Sequence, residues 1–427
     1  MIKRPFFGFT KPKLDCPVPS GLAQEQMREA PLPGKVTLSL PFPSTRPGAL
    51  AIKKGERVKT GEKVMISEEG EFIISTVAGT ISDIKESTGY LGRVSRDLTI
   101  EVDEADERDE TFKAFDKKDP LETARHFLNS LPGAADFSAL LNPGLPLDTV
   151  VINAVDRDLL VNNNRFLLRT EIEALSEGAG ILSGMLPGCK VVLAGPPESA
   201  SLAEKIGVPV HVIQPSYPNT LPRLIMKELL GRVAPAGKGC EDVGVGFINA
   251  EAVAALGKAF SKGEIPVHKI LTVITKEGKS INVRARIGTL IKELLDLLGI
   301  EVKHGDRLVL GGPMSGCAVF TEETPISADT EAVMIQDAGR ITQGMDIPCV
   351  NCGECVRACP ADIQVNMLIR LLENGLFEEA TREYDLLSCI ECGLCSYVCI
   401  ARIPIFQYIM LGKSEFGRIQ AAEESHA

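Results

Sequence analysis

The first regular pattern along the chain is Lys35-Val36-Thr37-Leu38-Ser39-Leu40, where polar and apolar residues alternate. Alternation of period two predicts a half-buried strand. The same reading applies to 57–64 and 75–81, each punctuated by glycine, so residues 34–103 are expected to form a small β-barrel or sandwich. The charge-rich run 103–119 reads as a solvated linker, followed by a helix over 121–131. Between 147 and 256 short apolar runs (149–154, 190–194 and 209–213) alternate with helical spacing, including a helix over 165–182. Strand–helix alternation predicts a parallel α/β layer. Residues 267–325 read as two strands about the turn Lys276-Glu277-Gly278-Lys279, a helix over 288–298 and a glycine cluster at 311–316, the pattern of a β-grasp. Further on, Met367, Leu368, Leu371, Leu372, Leu376, Phe377 and Ala380 recur at helical spacing, broken by Asn374-Gly375, and a last helix follows Ile403.

Composition narrows the function classes. The chain has 427 residues, 44% of them hydrophobic and 24% charged, which suits several globular domains. A net charge of −11 argues against nucleic acid as a partner, because no basic excess exists to displace counterions from phosphates. Tryptophan is absent and aromatics are 5%, which disfavours an aromatic cage. No apolar run is long enough for a direct transmembrane segment, and the start lacks the apolar core of a signal peptide. The expected location is therefore cytoplasmic, free or held at a membrane by other subunits. Residues 1–33 read as an N-terminal arm, with a basic cluster at Lys3, Arg4, Lys11 and Lys13.

Cysteine spacing points to chemistry. Of 12 cysteines, eight form two groups: Cys349, Cys352, Cys355, Cys359 and Cys389, Cys392, Cys395, Cys399. Both read C-x2-C-x2-C-x3-C, the bacterial ferredoxin run for two [4Fe–4S] clusters, in which the fourth cysteine ligates the other cluster. The expected ligand sets are Cys349, Cys352, Cys355 with Cys399, and Cys389, Cys392, Cys395 with Cys359. Disulfides would need an oxidising compartment, and structural zinc uses pairs of ligands more often than two quartets. Proline follows the first quartet at Pro360, whereas Ile400 follows the second. The single cysteines Cys16, Cys189, Cys240 and Cys317 read as small buried or partly buried side chains rather than ligands.

The motifs together carry a resemblance. Val58-Lys59-Thr60-Gly61-Glu62-Lys63-Val64 and Ser75-Thr76-Val77-Ala78-Gly79-Thr80-Ile81 resemble the biotinyl/lipoyl-like hammerhead, but the intervening tip, Glu68-Glu69-Gly70-Glu71, has no carrier lysine. With Val243-Gly244-Val245-Gly246-Phe247-Ile248-Asn249-Ala250, Gly311-Gly312-Pro313-Met314-Ser315-Gly316 and the two quartets, nearly the whole chain resembles the RnfC family, the C-type component of the Rnf complex, a membrane-bound, ion-translocating ferredoxin oxidoreductase. The resemblance implies an α/β multidomain chain. Its parts would be a hammerhead barrel-sandwich (34–103), a Rossmann-like parallel layer resembling a flavin/NADH module (104–256), an SLBB-like β-grasp (257–335) and a helical dicluster ferredoxin module (336–427).

The family's flavin motifs carry over only in part. Its G-G-A-G-F-P loop is here Pro132-Gly133-Ala134-Ala135-Asp136-Phe137; its N-A-x-E-C-E-P is Asn153-Ala154-Val155-Asp156-Arg157-Asp158-Leu159; its Y-P-x-G-G is Tyr217-Pro218-Asn219-Thr220-Leu221. Proline removes an N–H and Asp136 repels a phosphate. FMN and NADH are therefore expected to be absent, with Gly133, Asn153, Asp156 and Asp158 as remnants of a flavin site. The expected role is a relay of single electrons through two [4Fe–4S] clusters, with no bond chemistry. Expected partners are other subunits of a membrane redox complex and ferredoxin or another iron–sulfur protein, and the expected place is the cytoplasmic face of the inner membrane. Three alternatives stay open: an FMN-dependent NADH dehydrogenase subunit, a soluble accessory subunit of another reductase, and an adaptor whose clusters only stabilise the fold.

Overall fold

The computed structural model describes residues 14–15, 27–41, 51–66, 71–115, 118–128, 132–133, 140, 145, 147–341 and 347–426. The tip at 68–70, the basic cluster at Lys3–Lys13 and residues 134–137 of the flavin-loop counterpart lie outside them. The chain forms several sheets and a helical carboxyl-terminal module.

The expected parallel layer is present. Strand Thr149–Asn153 lies between Lys190–Gly195 and Val245–Asn249, with Val210–Val212 beyond Lys190–Gly195, all parallel. Strand order is thus third, second, first, fourth, and it reverses beside Thr149–Asn153. A crevice opens beyond the carboxyl ends of strands at such a reversal. Thr149–Asn153 is buried on both faces, which is why it reads as a continuous apolar run. Val150 and Ile152 pack with helices Ile172–Met185 and Ala250–Lys262, and Val151 with helix Pro222–Leu230. The first two helices cross at Gly178 and Gly257, where a Cβ would overlap the Val253 or Ala174 carbonyl oxygen. The single helix expected over 165–182 is instead two, Asn163–Thr170 and Ile172–Met185. They meet at Glu171, whose carboxylate binds Lys258 Nζ at 2.5 Å and Arg284 Nη2 at 2.7 Å.

A six-stranded mixed sheet follows, in the order Cys317–Val319, Arg307–Leu310, Ala332–Gln336, His268–Ile274, Ser280–Arg286, Arg28–Glu29. Helix Ile291–Leu298 buries Ile291, Leu294 and Leu295 on it. It begins later than the expected residue 288, because Gly288 is left-handed (φ +93°) and lies against Val36 and Thr37 of the front domain. The described parts of the N-terminal arm are not free: Arg28–Glu29 extends this sheet, and Leu14–Asp15 pairs with Ser216–Tyr217.

The front domain has an antiparallel sheet in the order Lys35–Pro41, Val94–Val102, Gly79–Thr88, Arg57–Val58, and a hairpin of Lys63–Met65 with Phe72–Ile74. Two strands replace the one expected over 57–64, because the chain turns at Gly61 (φ +84°). The acidic run after Asp103 is a strap rather than a solvated linker. Asp106 accepts from Arg286 Nη2 at 2.5 Å and from Thr60 Oγ1 at 2.5 Å, and Asp103 pairs with Arg57.

The carboxyl-terminal module is duplicated. Helix Glu354–Ala358 corresponds to Leu394–Val398 and Val365–Glu373 to Ile405–His426, each starting 40 positions later in the second copy. Phe377–Arg382 lies between, after the break expected at Asn374-Gly375. Among the described residues no helix is long and apolar enough to cross a membrane.

Candidate functional site

Each quartet lies on a loop that leads into one of the paired short helices. Asn351, Gly353 and Asp362 in the first copy, and Glu391, Gly393 and Arg402 in the second, have positive φ between 54° and 75°. Left-handed residues next to right-handed ones turn successive N–H groups inward, forming the concave nests that hold anionic groups such as iron–sulfur centres. The Glu391 N–H donates to Cys389 Sγ at 3.4 Å. Cys359 and Cys399 cap the carboxyl ends of the short helices.

The copies meet crosswise. Cys399 joins Cys349, Cys352 and Cys355 around one gap, whose apolar wall includes Ile369, Ile403 and Ile405. The charge of Cys359 acts on Cys389, Cys392 and Cys395, while Cys355 feels Cys349 and Cys352. Burial pushes the Cys355 thiol up to about 11 and Cys392 up to about 12, and it raises Cys389 and Cys395 as well. Such thiols stay protonated unless a positive centre sits among them. Iron bound among them would supply that charge and favour the thiolate form of Cys355, Cys389, Cys392 and Cys395. No described cysteine forms a disulfide. Among the described residues no group of three or more His, Cys, Asp or Glu is arranged to hold a metal ion; Cys349, Cys352, Cys355 and Cys399 line a gap instead. The donor set and the nests fit iron–sulfur clusters.

The two quartets differ in surroundings. Around the second, Leu14, Tyr217, Leu221 and Met314 pack on Cys392, Leu394 and Val398. The buried Tyr217 hydroxyl donates to the Cys392 carbonyl at 2.7 Å, and Lys413 Nζ donates to the Cys389 carbonyl at 2.8 Å. Gly393 meets the Met314 carbonyl so closely that no side chain fits. In the first gap Cys352 is exposed.

Each of the four expected flavin-site residues has contacts of its own within the chain. Gly133 is left-handed (φ +86°) against Ala252, and its N–H donates to the Ala328 carbonyl at 2.8 Å. Asn153 ends the first parallel strand, its Oδ1 accepting from the Val155 N–H at 3.3 Å. Asp156 accepts from the Asn164 N–H at 2.9 Å, and burial pushes its carboxyl up to about 7. Asp158 accepts from the Met314 N–H (3.1 Å), the Ser315 N–H (2.8 Å) and the Ser315 hydroxyl (2.7 Å), so it clamps the glycine cluster. Gly312 must be glycine, because Asp158 fills the place of a Cβ.

Beyond the crevice lies a cavity of about 610 Å³. Arg157, Asp158, Phe247, Gly312 and Glu331 line one side, and Cys389, Ile390 and Glu391 the other. Burial raises Glu331, opposed by Arg157 and Lys269. Sequence reasoning passed over Tyr217, Met314 and Lys413 as supports of the second loop. Tyr217 and Met314 lie in motifs already singled out, but nothing local marks Lys413 or Glu331. Of the single cysteines, Cys240 is buried, Cys189 and Cys317 are half-buried, and Cys16 lies outside the described residues.

The chain is similar to several known proteins. Residues 344–400 match the family described as "4Fe-4S dicluster domain". The chain is 28% identical over 417 residues to the C subunit of the proton-translocating ferredoxin:NAD(+) oxidoreductase complex of Clostridium ljungdahlii, covering 92% of this chain and 90% of that protein. It is 27% identical over 429 residues to the C subunit of the ion-translocating oxidoreductase complex of Serratia proteamaculans, covering 94% of this chain and 60% of that longer protein. A chain from a NAD+-reducing [NiFe]-hydrogenase in the H2-reduced state overlaps 71% of this chain at 14% identity, with a TM-score of 0.46. Over nearly its whole length, the chain is similar to the C subunits of ion-translocating oxidoreductase complexes, and residues 344–400 match a 4Fe-4S dicluster domain.

Proposed function

We propose that this chain is an electron-transfer subunit of an ion-translocating oxidoreductase complex, passing single electrons through two [4Fe–4S] clusters. The observation that carries the reading is that Cys399 of the second quartet joins Cys349, Cys352 and Cys355 around an apolar gap, while Cys359 of the first lies near enough to Cys389, Cys392 and Cys395 to raise their thiols beyond what burial does. Cys349, Cys352, Cys355 and Cys399 would hold one cluster, and Cys389, Cys392, Cys395 and Cys359 the other. Bound there, the clusters accept and release one electron at a time. The chain's own residues turn N–H groups toward the sulfurs, exclude water with isoleucine and leucine, and hold the second loop through Tyr217 and Lys413. These hydrogen bonds and the dry shell set the potentials.

The domains take the roles their patterns suggest: barrel-sandwich (34–103), flavodehydrogenase-like layer (104–256), β-grasp (257–335) and ferredoxin module (336–427), after the arm at 1–33. The partners are the other subunits of a membrane redox complex and an iron–sulfur protein such as ferredoxin. Through those subunits the chain sits at the cytoplasmic face of the membrane.

FMN and NADH have no part in this reading. Asp158 is committed to the glycine cluster and the Tyr217 hydroxyl to Cys392, so neither is available to a flavin. One observation favours a second reading, an FMN-dependent subunit: the cavity of about 610 Å³ reaches from Arg157 to the Cys389 loop. Iron, sulfide and released flavin per chain, measured on anaerobically purified protein, separate the two. About eight irons with no flavin, and no bleaching by NADH, support the relay. One FMN per chain with rapid bleaching supports the dehydrogenase, and no iron overturns both. Cys399→Ser should then remove the cluster of Cys349, Cys352 and Cys355, leaving the other in place.

A further inference from the structure

The duplication supplies an internal comparison. Positions 349–355 and 389–395 have the same spacing and backbone, yet the chain treats them differently. In the second copy Ile390 is packed beside Leu14, Tyr217 and Met314, and Cys392 is 7% exposed. In the first, the corresponding Val350 is 56% exposed and Cys352 lies open. Gly393 touches Met314, whereas Gly353 has only the Arg357 side chain within 4 Å. Ile400, 60% exposed, shares the rim of the first gap with Val350, Asn351 and Cys352. One copy is covered by the chain itself, and among the described residues nothing covers the equivalent surface of the other.

Resting on the electron-transfer reading above, we infer that the rim of Val350, Asn351, Cys352 and Ile400 is the face where this chain exchanges single electrons with a second iron–sulfur protein, one presenting an uncharged, apolar surface around its own centre. One electron leaves one centre and enters the other; no bond forms and no proton moves. Charge selects that kind of partner. From Met345 to Ala427 there are six Lys and Arg against twelve Asp and Glu, yet the segment Ile347-Pro348-Cys349-Val350-Asn351-Cys352 carries no charge. Beyond it Arg357 pairs with Glu354, and Arg402 adds one positive charge two positions after Ile400. An acidic, freely diffusing carrier would need a basic patch to steer it. This rim offers apolar contact instead, over the thiol nearest to water. The interior gap faces the cavity beside Arg157, so the two gaps would serve the inside and the outside of the chain respectively.

The test uses the full chain with both clusters, reduced by dithionite and mixed with membranes from a strain lacking it. Wild type, Val350→Glu/Ile400→Glu and Phe320→Glu are compared by stopped-flow reoxidation. Phe320 is 94% exposed at the edge of the six-stranded sheet, far in the chain from either quartet. The rim variant should reoxidise at least about ten-fold more slowly, since an unpaired carboxylate is costly in an apolar contact. Its iron content and the electron paramagnetic resonance signals of both clusters should match wild type. Phe320→Glu should reoxidise like wild type, and the wild-type rate should change less than about two-fold between 50 and 500 mM salt, as an uncharged contact requires. A rim variant as fast as wild type, or a steep fall with salt, overturns the inference while leaving the electron-transfer reading intact. Iron-free wild-type protein would instead sink that reading and the inference with it.

Discussion

Gly353 and Gly393 hold the same place in the two cysteine loops, and their exchange for alanine should have unequal costs. Both are left-handed, with φ of 75° and 67°. A Cβ in that conformation costs about 1–2 kcal/mol wherever it is placed. At position 353 nothing further is added, because the Arg357 guanidinium, 3.7 Å away, is the flexible end of an exposed side chain. At position 393 the Cβ would overlap the carbonyl of Met314, which is held from the other side because Asp158 binds its N–H. Overpacking there adds about 1–3 kcal/mol, giving about 2–5 kcal/mol in total against about 1–2 kcal/mol at Gly353. The strain falls on the seam between the ferredoxin module and the glycine cluster. Gly393→Ala should therefore lower the melting temperature of the holoprotein more than Gly353→Ala, and should lose the paramagnetic signal of the interior cluster first. Equal melting temperatures, or a Gly393→Ala protein with both signals at wild-type strength, would refute the account of that seam.

Other substitutions test other contacts. In helix Ile172–Met185, Gly178→Ala should destabilise by about 1–3 kcal/mol through overlap with Val253, whereas Gly180→Ala, with open space around it, should stabilise by up to about 1 kcal/mol; urea titration of both variants reads the sign. Lys269→Met leaves the buried Glu251 carboxylate without its ion pair at 2.7 Å and should cost about 3–5 kcal/mol in the same assay, much of it recovered by adding Glu251→Leu. Burial holds Asp156 at about 7 in the folded state, above its usual value of 3.8, so its favourable contribution is complete below pH 4 and is lost as pH rises through 7. Asp156→Asn should gain on wild type in melting temperature as pH goes from 5 to 8, and a constant difference across that range would count against the assignment.

Much of the site was legible because the signal is local. Eight cysteines at fixed spacing force the loop and the following turn, and the two helices expected on either side of Asn374-Gly375 are in place as Val365–Glu373 and Phe377–Arg382. The parallel strands were equally legible, since burial on both faces leaves an uninterrupted apolar run. The failures involve partners distant in sequence. The acidic run at 103–109 looks like a solvated linker until Arg286, 180 residues away, is seen on Asp106. Arg28 and Glu29 read as part of an arm because their pairing partners are Val283 and Arg284. Asp158 matched an acidic position in a flavin motif, but its hydrogen-bond partners lie in the glycine cluster more than 150 positions on. A helix of uniform periodicity over 165–182 hid the break at Glu171, which two cations from other elements hold.

The crosswise meeting of the quartets bears on how the protein is made. In the ligand sets proposed above, Cys399 completes the set begun by Cys349, and the set of Cys392 needs Cys359, with Tyr217 from the middle of the chain on the Cys392 carbonyl. A nascent chain that has emerged only as far as Cys359 presents the four thiols of the first quartet yet can finish neither set. Premature capture of iron by the first quartet alone would give a site with the wrong fourth ligand. The architecture thus favours metal insertion after synthesis, into a polypeptide whose front domains already stand, and it makes loss of the final segment fatal to both centres at once.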